Sequence, residues 1–388
     1  MIIRFAMICV MLSSIASMSG CDRPSTSGTG SSATGQVTIE LSPVTPLLPR
    51  LRTHFTVDSR GNLYWIQESD PAPAGGDLVF VMGDSGVPQT LPALTTRQLL
   101  AAIKTDDTAG ATGAVRSLAI GPNDELFVLF AGGTSRKPIC TLFGYIFTTN
   151  KLRVIADTTQ IMELSGMGAS IDLARGSLVG FNRDLWLWLR HSDAAALLQI
   201  EARESTGRFE LKRFALKPTT KIKPGLLTSD KEDLAAGPAQ TLYYVDRPRA
   251  MLWKIDVNGE FTAAQSLEGF SEAVTAPAVD SLGYIALIAG NADPLVARDF
   301  TASGSYAAQG VSSPGWVQLP YPAFLQIQAA AGKTTTTLTV KRDQFIAPAA
   351  IPVQDMQPRQ LLLDRSTGTL ITFDAASGEL LRMKAIRR

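Results

Sequence analysis

Three observations predict an all-β chain built from repeated antiparallel sheets. A short pattern recurs six times, in which an apolar residue leads into turn formers and then into β-branched or aromatic residues. Further strand-like runs follow several of the copies. Only one segment reads convincingly as a helix.

The copies are Val57–Ile66, Ile120–Leu129, Val179–Trp188, Ala236–Val245, Val279–Ile288 and Leu363–Phe373, the last with one extra residue in its turn. Each has the form of a hairpin, because the turn formers supply the bend and the flanking runs suit strands. After the fourth copy, Met251–Thr262 adds a strand, an Asn258-Gly259 turn and another strand; Ala375–Met383 extends the sixth. Each unit thus supplies three or four antiparallel strands. Such a sheet cannot bury both faces until neighbours pack on it, which is the logic of a β-propeller.

Six copies imply six blades. The long interval between the fifth and sixth leaves seven as the alternative. The last copy is short of a strand, and Gln36–Leu41 is a lone strand ahead of the first, so pairing these two would close the ring and remove an open edge. Residues 301–355 read as an insertion with its own hairpin, Phe324–Gln328 against Thr336–Val340. The helix is signalled by Thr95 with Gln98 in a capping-box pattern, followed by Leu99, Leu100 and Ile103 on one side. It is expected to cover the junction of the first and second blades.

The fourth unit, Leu234–Thr262, resembles an NHL or gluconolactonase-type six-bladed propeller repeat. The sixth, Ser366–Met383, is similar to a pyrroloquinoline-quinone-type repeat. The likeness runs over most of residues 50–388 and lies in turn and strand grammar. A gluconolactonase-type enzyme implies a Glu with Asn and Asp side chains around a divalent cation, an oxygen-rich site suited to calcium or magnesium. That family's early Glu-Gly-Pro segment has no match in this chain, and Gly121–Asp124 is a partial echo of its later turns. Asn182 and Asp233 are the residues that would approach the axis under this reading.

The N-terminus resembles that of a bacterial lipoprotein. Arg4 gives a basic start, Phe5–Ile15 an apolar stretch too short to span a bilayer, and Met18-Ser19-Gly20-Cys21 looks like a lipobox. The expected organisation is a signal peptide over 1–20, an acylated Cys21 with a flexible linker over 21–36, and the propeller over 37–388. Acyl chains contribute about 0.8 kcal/mol per buried CH₂, so two or three hold a domain firmly at a membrane. The expected location is non-cytoplasmic, on the periplasmic face of either membrane or at the cell surface. Asp22 after Cys21 resembles an inner-membrane retention signal. The linker, rich in Gly, Ser and Thr, cannot bury enough surface to order itself.

Composition narrows the remaining chemistry. Lys plus Arg is 36 and Asp plus Glu 35; removing residues 1–20 takes only Arg4 and leaves 35 against 35. No basic excess or stripe marks a nucleic-acid partner. Of three cysteines, Cys9 leaves with the signal and Cys21 is acylated. Cys140 then has no disulfide partner and lies in an apolar run suited to a strand. Two distant histidines make no zinc site, and neither a nucleophile elbow nor a phosphate-binding Gly-rich motif is present.

Asp58, Asp280 and Asp364 fall in repeat turns, where Asp bonds its own backbone, and Asp246 and Asp256 sit at strand ends in solvated turn roles. No metal site and no cofactor are therefore expected, a divalent cation entering only with the hydrolase alternative. Tyr64, Trp65, Phe127, Trp186, Trp188, Tyr243 and Tyr244 are expected to pack between blades. Trp316, Tyr321 and Phe324 lie among Ser, Gly and Pro and are the candidate contact residues for an envelope protein or a saccharide. The expected function is non-catalytic binding or scaffolding at the cell envelope, with a metal-dependent lactonase-like hydrolase as the alternative.

Overall fold

The computed structural model describes residues 37–44, 51–68, 77–83, 86–103, 111–134, 137–166, 176–181, 184–191, 194–203, 208–217, 234–246, 249, 251–266, 277–279, 285–288, 297–300, 306–309, 316–318, 338–340, 345–346, 358–364, 366–367, 369–374 and 377–387. Two compact units divide the chain, Met1–Gly35 and Gln36–Arg388, and the second holds every described residue.

After β1 (Val37–Pro43), the first sheet runs through β2 (Leu51–Val57), β3 (Leu63–Glu68), β4 (Asp77–Met82) and β5 (Gln89–Thr90). Helix α1 (Thr96–Ala102) precedes the second sheet, β6 (Thr112–Ile120), β7 (Leu126–Gly133), β8 (Pro138–Ile146) and β9 (Lys151–Ala156). Helix α2 (Thr158–Ser165) leads to the third, β10 (Ser177–Phe181), β11 (Asp184–His191), β12 (Ala194–Arg203) and β13 (Arg208–Phe214). The fourth contains β14 (Leu234–Ala236), β15 (Leu242–Asp246), β16 (Met251–Ile255) and β17 (Phe261–Ser266).

In the fifth sheet, β18 (Ala278–Val279) and β19 (Ile285–Ile288) are followed by a separate hairpin, β20 (Ala297–Phe300) and β21 (Tyr306–Gln309). The sheet then resumes with β22 (Trp316–Gln318) and β23 (Leu338–Val340). Last come β24 (Phe345–Ile346), β25 (Pro358–Asp364), β26 (Thr369–Asp374) and β27 (Glu379–Arg387), which join β1 in the order β24-β1-β27-β26-β25. The leading strands of the six large sheets touch in cyclic order: β2 on β6, β6 on β10, β10 on β14, β14 on β18, β18 on β25 and β25 on β2. The fold is an all-β propeller with few helices.

Every recurring copy forms the hairpin between the first two strands of a sheet. Val57 faces Leu63, Ile120 faces Leu126, Ala236 faces Leu242 and Val279 faces Ile285, all six residues apart. Leu363 faces Leu370, so the sixth turn does hold one residue more. The third is tighter than its frame suggests: Phe181 faces Asp184, and Val179 faces Trp186.

Four features differ from expectation. Among the described residues five sheets have the regular four strands, not six or seven, and the remaining large sheet has five strands because it collects both chain ends. Residues 301–355 are not purely an insertion: they supply β22 and β23 to the fifth sheet and β24 to the last. Leu338–Val340 pairs with Trp316–Gln318, a partner the hairpin expectation did not include; Phe324–Gln328 lies outside the described residues. The strand grammar there is diluted by Ala, Gly and Ser, so composition gave no guide to pairing. Among the described residues the α-helices number two rather than one.

Both helices fill wedges between sheets. Thr95 Oγ1 accepts from Gln98 N–H at 3.3 Å to cap α1, whose Leu99 is buried with Tyr64, Val115 and Phe130 between the first and second sheets. Helix α2 has a full capping box from Asp157 and Gln160 and ends at Gly166 with φ 69°, as a left-handed cap requires. Its Ile161 joins Cys140, Leu142, Leu187 and Leu198 between the second and third sheets. Similar layers join the third to the fourth around Trp186 and Tyr244, and the last to the first around Phe55, Trp65 and Phe373. Each layer removes apolar surface from water at about 25 cal/mol per Å², and no sheet supplies both of its sides.

Alternation of antiparallel strands sorts the turns. Those linking first to second and third to fourth strands emerge on one side, which surrounds a mouth of the channel and is termed the rim side. Second-to-third turns emerge on the far side. β1 extends the last sheet as its fourth strand, with Val37 opposite Arg387 and Pro43 opposite Leu381, so its first residue lies on the rim side.

Candidate functional site

The six leading strands surround a cavity of about 160 Å³ at the axis. Leu118, Leu178, Leu234 and Leu361 are among its apolar walls, and Thr56, Ser177 and Gln360 are polar groups along them. Asp58, Ser59 and Asp124 border it where the first and second sheets turn on the rim side. This is where a propeller takes a ligand, since inner strands and their turns converge there.

Among the described residues, the carboxylates of the first and last repeat turns are already occupied by protein donors. Asp58 accepts from Arg60 N–H at 3.0 Å, Asn62 N–H at 2.8 Å, Asn62 Nδ2 at 2.7 Å and Tyr64 Oη at 3.1 Å. Burial, with the Asp58 carboxylate beside it, pushes the Tyr64 phenol well above its ordinary value, so Tyr64 stays a donor. Asp364, fully buried, accepts from Ser366 N–H at 3.0 Å, Ser366 Oγ at 2.6 Å and Thr367 Oγ1 at 2.7 Å, and pairs with Arg382 Nη2 at 3.3 Å. These two acids are turn braces, as the sequence predicts; Asp280 lies outside the described residues.

Adjacent turns are also tied to one another. Asp124 accepts from Ser59 N–H at 3.2 Å and from its hydroxyl, joining the first and second sheets across the rim. Asn123 and Asp124 adopt left-handed φ values of 63° and 59° to aim that carboxylate. Gln240 Nε2 donates to Asp184 Oδ1 at 3.3 Å between the fourth and third sheets. Burial raises the Asp184 carboxyl, the Gln240 bond opposes this, and Glu201 adds to it. Between the leading strands of the second and third sheets Ser117 Oγ accepts from Leu178 N–H at 2.9 Å.

The remaining acids separate by environment. Asp256 keeps the solvated turn role expected, accepting from Asn258 and Glu260 N–H, both at 2.9 Å; the Glu260 bond chiefly lowers its carboxyl. Asp246 does not. It is fully buried, paired with Arg249 Nη1 at 3.1 Å and accepting from Trp253 Nε1 at 3.3 Å. Its position at a strand end suggested solvent, but the indole two residues into β16 folds back over it.

Among the described residues no three His, Cys, Asp or Glu side chains gather to hold a metal ion. Asn182 and Asp233 lie outside them, as do Cys21, Tyr321 and Phe324. The backbone of Trp316 is in β22, opposite Ile288 and Val340. Cys140 is buried in β8, and burial pushes its thiol up to about 12, so it is no thiolate nucleophile at neutral pH. The seven strand aromatics named above are all buried between sheets.

Sequence reading did not find the cross-sheet groups Ser59, Asp124, Ser117, Gln240 and Gln360. Each lies beside a repeat turn or on a leading strand, but nothing in its own segment names its partner. No helix among the described residues is long and apolar enough to cross a membrane.

No family model and no curated protein matches the chain. Among solved structures it is similar to a streptogramin B lyase, at TM-score 0.45 and 9% identity over 90% of this chain and 98% of that one. It is also similar to the calcium-binding protein regucalcin of Agrobacterium tumefaciens, at 0.43 and 11% over 89% and 94%. A gluconolactonase of Xanthomonas campestris aligns at 0.43 and 10% over 89% of each chain. At this distance the likenesses assign no residue role or activity.

Proposed function

We propose that this chain is a lipid-anchored propeller of the cell envelope that binds or scaffolds a partner without catalysing a reaction. Six blades make the ring, the five-stranded sheet being the closing one. Cys21 carries the anchor and residues 22–36 the tether. The observation that carries the non-catalytic reading is the use of the rim carboxylates: Asp58, Asp124 and Asp364 hold turns and neighbouring sheets together. Among the described residues, committing them to protein donors leaves little carboxylate oxygen at the mouth for a cation or a substrate.

The test has two arms. Acylation is read from the mass of the mature N-terminus, where Cys21→Ser should abolish the lipid adduct. Purified protein is then analysed for bound calcium, magnesium and zinc and assayed on a lactone panel with and without each ion. Metal-dependent turnover would replace the binding reading with the hydrolase one. Partner capture is compared between wild type and Trp316→Ala or Tyr321→Ala, which should weaken it. Point variants are preferred to deletion of 301–355, which would remove β22, β23 and β24 from their sheets.

A further inference from the structure

We propose that the rim side of the propeller faces the bilayer, with Phe147, Val257 and Val87 meeting the lipid headgroup region. This rests on the anchored reading of Cys21.

Two independent observations converge on that side. The first is where the chain enters: Val37 begins β1 opposite Arg387, on the rim side of the closing sheet. Random-coil scaling gives a Gly- and Ser-rich stretch of the length of residues 22–36 a span of roughly 20 Å, so under the anchored reading an acylated Cys21 would hold this side close to the membrane.

The second concerns exposed apolar side chains. Among the described residues the large ones are Val87, Phe147, Val154 and Val257, at 59, 38, 44 and 53% exposure. Val154 lies within β9, the outer strand of the second sheet. The other three lie in third-to-fourth-strand turns of the first, second and fourth sheets, all on the rim side. Single exposed apolar residues are ordinary. Their shared placement in turns on the side at which β1 begins is what carries the proposal.

These tips are held rather than loose. The Phe147 ring sits 5.4 Å from that of Tyr64 and 5.1 Å from that of Tyr145. Asp256 fixes the turn carrying Val257 through the Asn258 and Glu260 amides. On the far side of the second sheet, exposed Lys137 stands just before β8, whose other end leads to Phe147. The anchor would supply residence at the membrane; the tips would set orientation.

Strand β8 serves as a ruler. Positions 137 and 147 are separated by about 30 Å at the rise of an extended strand. Full-length acylated protein is reconstituted into phosphatidylcholine–phosphatidylglycerol vesicles. Separate variants Phe147→Cys, Val257→Cys, Val87→Cys and Lys137→Cys are labelled with a thiol fluorophore, Cys140 being buried and Cys21 blocked by its lipid. Quenching by headgroup-spin-labelled lipid should be several-fold stronger at 147, 257 and 87 than at 137. Equal quenching, or stronger quenching at 137, overturns the orientation. Val87→Cys and Val257→Cys guard against a folding defect from loss of the Phe147 ring. Vesicle flotation separates the two readings: protein that fails to float refutes the anchor and the orientation with it. Floating protein with uniform quenching refutes the orientation alone.

Discussion

The side-chain amide of Gln360 pairs with both backbone groups of Phe55, accepting from its N–H and donating to its C=O, each at 3.2 Å across 305 residues of sequence. The leading strand of the last sheet thereby continues the hydrogen-bonding edge of the leading strand of the first. It ties the two sheets at which the ring begins and ends.

Gln360→Leu should cost about 2 kcal/mol, because it leaves two part-buried peptide groups without partners. Gln360→Glu keeps the acceptor for Phe55 N–H and loses the donor, so its cost should be smaller. Urea unfolding followed by fluorescence measures both. Equal stability of wild type and Gln360→Leu would show that water replaces the amide.

Closure by β1 gives a second expectation. A chain starting at residue 37 should unfold like the full-length protein, whereas one starting at residue 45 should lose its cooperative thermal transition and aggregate. Removing β1 leaves β27 as an open edge and β24 without its parallel partner. Thermal scans with light scattering distinguish the two chains.

The buried Asp364 holds four donors, including the Arg382 guanidinium. Asp364→Ala should destabilise by about 2 kcal/mol, most of it from leaving the Ser366 amide and the two turn hydroxyls without their acceptor. Asp364→Asn should lose less. Chemical denaturation of both variants checks the order.

Gly61 meets that same turn. Its φ is 86°, and a Cβ there would lie 2.4 Å from Ser366 Oγ. Gly61→Ala should therefore lose about 2 kcal/mol through backbone strain and a forced shift of Ser366. Introducing Ser366→Gly beside it should recover part of the loss, which separates the contact from the backbone term.

Asp184 sets a pH dependence. Burial raises its carboxyl above the unfolded value, so the folded state favours the protonated form. Its contribution is complete below the ordinary carboxylate pKa and is lost as pH rises through the raised value. Asp184→Asn keeps an oxygen for Gln240 and removes the titration. The variant should gain stability relative to wild type as pH rises from about 4 to 7. Parallel stability curves for the two proteins would contradict this.

The hairpin copies were legible because turn formers and alternating strand residues act over ten residues. So was the helix begun by Thr95. Helix α2 had an equally local signal, Asp157 and Gln160 ahead of Ile161 and a closing Gly166, but β-branched Thr158 and Thr159, coming directly after the strand residues 151–156, hid it. The lone strand at Gln36–Leu41 could be assigned to the last unit because that unit lacked a strand.

By itself the sequence determined an all-β propeller, the location of its repeat hairpins and the turn roles of Asp58, Asp256 and Asp364, all consequences of short-range backbone chemistry. Tertiary structure alone decided that Leu338–Val340 pairs with Trp316–Gln318, that Asp246 is buried, and that Ser59, Asp124, Gln240 and Gln360 bridge neighbouring sheets. Those outcomes depend on which distant strand supplies the missing donor, acceptor or apolar cover. A single segment carries no record of its partner until the ring has closed.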